Sequence, residues 1–140
     1  MKILLAADGS SYTKRMLAYL AAHDEWLAPD HDYTVFHGLL ALPHRAAAYA
    51  GPALVRSYYD DDAETVFRPI RRFLKRQGIE ATFVHKIGDP AENIAKLAEK
   101  GKFDLLMMGS HGRGALGNLV LGSTATKVLA QCSTPVLLIR

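Results

Sequence analysis

The chain has 140 residues, 49% of them hydrophobic and 22% charged, with a formal net charge of +3. That size and balance describe one globular domain with a single core and exclude a disordered chain. No apolar run approaches the roughly 20 residues that cross a bilayer, the opening MKILLAADGSS is too short for a secretory signal, and the single cysteine, Cys132, excludes an internal disulfide, so the expected setting is soluble and cytoplasmic.

Residues 2–7 (KILLAA) are the first expected strand. A helix is expected over 11–28, with Met16, Leu17, Leu20 and Leu27 at helical spacing. A second strand spans 33–40 (YTVFHGLL). The segment that follows, 41–52 (ALPHRAAAYAGP), reads as irregular, either a lid or a loose surface loop. A second helix is expected over 63–77 from Val66, Phe67, Ile70, Phe73 and Leu74, with Pro69 expected to kink it. Asp60–Asp62 then precede that helix, where they complement its dipole rather than form a metal cluster. The basic run 68–76 (RPIRRFLKR) falls on the polar side of the same helix and reads as a solvated face, not a nucleic-acid patch.

Ala81–Ile87 is the third expected strand. The third helix is the best signed: Asp89 as cap, Pro90 in the first position, Glu92 three after the cap, and Gly101 past the end. Residues 104–108 give a fourth strand in which Met107 and Met108 are expected to be buried. A fourth helix opens near Ser123 with Ala125, Val128, Leu129 and Cys132 on one apolar stripe, and 135–139 close the chain as a fifth strand. Five short, nearly continuous apolar strands alternating with four helices specify an α/β fold, a single parallel sheet with helices on both faces.

In such a sheet ligands bind beyond the carboxyl ends of the strands, where the strand order reverses. Three turns qualify: the one after the first strand (Asp8 onward), the one after the second (His37 and Gly38), and MGSHGRGALGNLVLGSTA, which holds five of the eleven glycines and follows the fourth strand.

Two familiar patterns inside this stretch fail. GRGALG matches the dinucleotide fingerprint, but no helix opens at once and no acidic residue occurs after Asp104. GNLVLGST resembles a P-loop with its lysine replaced by Ser123. What remains is the physics common to both. Gly109 and Gly112 bare the backbone just past a strand, and Gly122, Ser123 and Thr124 open a helix whose first amides lack intrahelical partners and whose dipole favours an anion. From Leu105 onward the only charged side chains are Arg113, Lys127 and Arg140, all cationic. The stretch is built as a phosphate cradle.

Gly109-x2-Gly112-x9-Gly122-Ser123 resembles the G-x2-G-x9-G-[S/T] motif of the ATP-binding universal stress proteins. The flanks ILLAADGS, GDPAENI and STPVLLIR resemble the family's first strand, its third strand-to-helix connection and its closing strand. The resemblance implies a Rossmann-like fold of the adenine-nucleotide α-hydrolase type and an adenine-nucleotide-binding regulator of stress survival. ATP, or ADP or AMP, would be the ligand, with Mg²⁺. The backbone at Gly38 would hold adenine, with Ala6 lining the base pocket and Asp8 near ribose and base. Met108 through its backbone, Gly109, Ser110, His111, Gly112, Arg113 and Gly114, and Ser123, Thr124 and Ala125 after Gly122, would wrap ribose and phosphates. Family members often carry valine where Gly38 stands. The family also implies a homodimer formed by pairing the last strands, which would cover an otherwise open apolar edge.

Each residue also has a plainer reading. Asp8 can cap the first helix with Ser10 or Ser11, and the receiver-domain role of phosphoacceptor fails for want of its partner residues. His111 either reaches phosphate or sits in solvent; Arg113 is expected to meet phosphate; Cys132 is expected to pack in the core. No nucleophile–base pair or carboxylate dyad surrounds the cradle, so the expected activity is binding with at most slow hydrolysis. The rivals are a true ATPase or phosphotransferase, autophosphorylating on Ser123 or Thr124, and a dimeric interaction module with an empty cradle.

Overall fold

The computed structural model describes residues 1–114 and 118–140. Residues 115–117, the end of GRGALG and the first glycine of GNLVLGST, lie outside the described residues. In chain order the elements are β1 (Lys2–Ala6), α1 (Ser11–Ala22), a 3₁₀ turn (Asp24–Leu27), β2 (Asp32–Leu39), α2 (His44–Ala50), α3 (Pro52–Arg76), β3 (Ala81–Ile87), α4 (Pro90–Lys100), β4 (Leu105–Gly109), α5 (Ser123–Gln131) and β5 (Val136–Ile139).

All five strands lie parallel in one sheet of order β3-β2-β1-β4-β5, as expected. Alternation along each strand divides the core in two. Ile3, Leu5, Tyr33, Val35 and Met107 face α1 and α3, meeting Met16, Leu20, Phe67 and Ile70. Leu4, Ala6, Phe36, Leu106 and Met108 face α4 and α5, meeting Ala91, Ile94, Ala98, Ala125 and Val128. The chain builds outward from β1 to β3, then crosses back to add β4 and β5 on the other side of β1. The strand order therefore reverses between β1 and β4, and a crevice opens at their carboxyl ends.

Five expectations are corrected. The segment 41–52 is not irregular: HRAAAYA forms α2, because three consecutive alanines favour helix even where, as here, no residue is buried. Helix α3 begins at Pro52, not near residue 63, and runs 25 residues through Pro69. Gly51 followed by Pro in the first helical position is its start signal. Asp60–Asp62 therefore lie inside α3 and cannot complement its N-terminal dipole. Helix α1 stops at His23, whose extended backbone and ring contact with the Tyr19 carbonyl (2.8 Å) end it before the 3₁₀ turn. Leu129, placed on the buried stripe of α5, is 44% exposed, whereas Val128 is fully buried.

Candidate functional site

The turn after β1 is organised by Asp8. Gly9 turns the chain at φ +77°, a conformation glycine adopts without strain. The Ser10 amide donates to Asp8 Oδ1 (2.9 Å) and the Thr13 hydroxyl donates to the same oxygen (3.0 Å). Ser10, not Asp8, caps α1, its Oγ accepting from the Thr13 amide. Asp8 Oδ2 reaches across the sheet and accepts from the Arg113 amide at 3.2 Å. The carboxylate thus ties the first turn to the glycine-rich loop.

Gly109, Gly112 and Gly122 of that loop are crowded by the protein itself. A Cβ on Gly109 would stand 2.5 Å from Tyr12 Cβ, and one on Gly112 would stand 2.8 Å from Asp8 Oδ2. At the end of β2, a Cβ on Gly38 would meet Pro90 Cβ at 2.9 Å, so the start of α4 packs closely against the strand there. On Gly122 it would lie 3.0 Å from His111 Cα and 3.2 Å from the Ser110 carbonyl oxygen. That approach lets the Gly122 amide donate to the Ser110 carbonyl (2.8 Å), docking the start of α5 against the end of β4.

Between these walls lies an inner chamber with a cavity volume of about 120 Å³. Ala6, Asp8, Gly38, Met108, Gly109, His111, Gly112, Thr124 and Ala125, all expected site residues, line it. Phe36, Pro90 and Ile94 complete an apolar floor. The chamber opens into a polar mouth lined by Arg113, Ser123 and Thr124 together with Asp62, Asp89, Lys127 and Tyr58. Ser110, Gly114 and Gly122 line neither part. Ser110 is fully buried, nothing stands within 4 Å of a Cβ on Gly114, and Gly122 sits behind the wall.

The start of α5 carries the electrostatics. Its N-cap is Gly122, with no side-chain capping bond, and the first intrahelical bond is Thr126 N–H to the Gly122 carbonyl (3.0 Å). The amides of Ser123, Thr124 and Ala125 thus have no helical acceptor, and Thr124 and Ala125 border the chamber. Lys127 Nζ lies 3.4 Å from Asp89 Oδ2 across the mouth.

His37 was passed over in the sequence in favour of its neighbour Gly38. It is 4% exposed, lines both chamber and mouth, and its Nδ1 donates to the Ala7 carbonyl (2.9 Å). Burial pushes its pKa down, so the ring is neutral and Nε2 is an acceptor. Asp62 was missed because its helix was expected to start later. Pro90 was legible as a helix start, but its second role as a chamber wall depends on a tertiary contact.

Fold and crevice together define a doubly wound α/β protein with a cleft at its topological switch point and an uncapped helix start on the rim. The universal stress protein family model matches residues 1–140, and the chain belongs to that family. A universal stress protein of Thermus aquaticus is 36% identical over 142 residues, spanning 99% of this chain and 97% of its own. Among solved structures, a universal stress protein family protein from Arabidopsis thaliana with AMP bound superposes with a TM-score of 0.71 at 17% identity, covering 99% of this chain and 90% of that one. A universal stress protein from Archaeoglobus fulgidus in complex with dAMP gives a TM-score of 0.71 at 19% identity, covering 100% of this chain and 98% of that one.

Proposed function

We propose that this protein binds an adenine nucleotide, ATP foremost, as a ligand-responsive regulator in stress survival, with at most slow hydrolysis. The observation that carries the reading is the uncapped start of α5 beside an apolar chamber. A flat base is accommodated by Ala6, Phe36, Ile94 and Met108, while a phosphate tail meets open amides, the Ser123 and Thr124 hydroxyls and two cationic side chains. The AMP and dAMP held by the two solved relatives support the adenosine part of this assignment.

Mg²⁺ would enter on the phosphates, since it retains water and takes few protein ligands. The Ser123 and Thr124 hydroxyls at the mouth are the chain's candidate contacts to it. The Asp8 carboxylate is committed to three donors from the chain, which favours a binder over a phosphotransferase using Asp8 as its base. The reading places the protein in the cytoplasm and pairs two copies through β5, an edge strand whose four residues are all half-buried; sedimentation at micromolar concentration as a dimer is the expected result.

The test is calorimetry and thermal unfolding with ATP, ADP, AMP and adenosine, after chromatography of any nucleotide released on denaturation. Saturation at 100 times Kd stabilises a protein by about 2.7 kcal/mol, so a clear upward shift with ATP is expected. No shift at millimolar ATP overturns the reading in favour of the interaction module. Turnover above about 1 s⁻¹ favours the ATPase.

A further inference from the structure

His111 lines the chamber, yet both of its ring nitrogens are taken by the protein. Nε2 lies 2.7 Å from the Leu119 carbonyl oxygen and Nδ1 lies 2.9 Å from Ser110 Oγ. A carbonyl oxygen only accepts, so Nε2 carries the proton; in the neutral ring Nδ1 accepts from the Ser110 hydroxyl. Ser110 is fully buried and tied on each side: its amide donates to the Ile139 carbonyl (2.8 Å) and its carbonyl accepts from the Gly122 amide (2.8 Å). The imidazole also stacks on Tyr12, with centroids 5.0 Å apart and planes tilted by 36°.

We infer that His111 is a positioning residue, a clasp that holds Leu119 to the buried end of β4 and thereby aims the open amides of α5 before any ligand arrives. Leu119 stands three residues before Gly122, so a bond that fixes one constrains the approach of the other. A phosphate finding its donors already in place loses less ordering entropy on binding. The clasp acts on the phosphate end of the crevice and leaves the apolar floor untouched. The ligand in this inference comes from the nucleotide reading; the clasp itself rests on the hydrogen bonds.

Three variants separate a clasp from simple packing. His111→Gln keeps an amide donor for the Leu119 carbonyl. His111→Phe keeps the ring against Tyr12 and loses both hydrogen bonds. His111→Ala loses everything. The readouts are calorimetric affinity for ATP and for adenosine, and hydrogen exchange of the Gly122 amide by NMR. Loss of the hydrogen bond to Leu119 predicts ATP affinity down by about tenfold in the Ala and Phe variants, with adenosine losing less than ATP and Gly122 exchange accelerated. The Gln variant should recover most of both. Rescue by Phe rather than Gln, or equal losses for ATP and adenosine, overturns the clasp. If the wild-type protein binds neither ligand, the nucleotide reading fails and exchange alone decides: unchanged protection of Gly122 in the Phe variant overturns the clasp, and faster exchange there with recovery in Gln upholds it.

Discussion

Helices α4 and α5 pack on the same face of the sheet and start at the same crevice, yet their starts are finished in opposite ways. At α4, Asp89 accepts from the Glu92 amide (3.0 Å), and Pro90 brings no amide to the first position. That backbone bond, with Lys127 beside it, holds the Asp89 carboxyl below the ordinary carboxylate range. At α5 the cap is glycine, with no side chain to close the turn. The first start is finished by the protein; the second is left open. Gly51 before α3 sharpens the point. It too is a glycine cap, but a Cβ there would meet nothing, whereas one on Gly122 would strike backbone. Only the crowded glycine joins two segments of a site.

The comparison breaks most directly at Gly122. In Gly122→Val the branched side chain must part α5 from His111 and Ser110, and the Gly122 to Ser110 hydrogen bond goes with it. ATP affinity should fall by about 100-fold or more, roughly 2.7 kcal/mol, in a protein whose circular dichroism still reports a folded sheet. Affinity within threefold of wild type would show that the start of α5 does not hold the phosphates. A smaller effect, on stability alone, is expected at the other helix. Asp89→Ala removes the α4 cap and should lower the thermal midpoint by about 2–4 °C. Its ATP affinity should hold or rise slightly, since a negative charge leaves the mouth; a large loss of affinity would mean the two starts are not functionally distinct.

The smallest expected effect lies away from both helix ends, at His37. Burial lowers its folded pKa, so the unfolded chain takes up this proton first as pH falls. Its contribution to stability is therefore complete above about pH 6.5, the unfolded value, and declines as pH drops below that. His37→Gln, which keeps a donor near the Ala7 carbonyl, should flatten the decline in urea unfolding between about pH 6.5 and 5. An unchanged profile would place the titrating group elsewhere.

Much of the crevice was readable because its signals are local. Asp89, Pro90 and Gly101 mark one helix by capping chemistry that spans a few residues, and the structure reproduces each of these positions. The spacing from Gly109 to Ser123 located the glycine loop and the helix after it for the same reason. What was misread depended on distant partners. Gly109 lines the crevice as expected, yet it is Tyr12 on α1 that forbids it a side chain. Ser110 looked like a contact in the loop and is instead fully buried, its amide bonded to β5. The acidic run 60–62 was assigned by an assumed helix start; with α3 beginning at Pro52, Asp62 reaches the mouth and Asp60 lies 3.6 Å from His85.

The order of apolar runs and helix signals was enough to determine a parallel five-stranded sheet with helices on both faces, and the glycine spacing located the loop and the helix start that border the crevice. These follow from short-range rules of periodicity, capping and backbone freedom. Only the folded molecule decided which groups in that neighbourhood remain free. Asp8 and His111 spend their polar atoms on the chain, burial pushes the His37 pKa down, and the amides of α5 stay open because Gly122 comes too near its neighbours to carry a side chain. Whether a polar group is free depends on its partners, and here those partners come from segments as far as 105 residues apart.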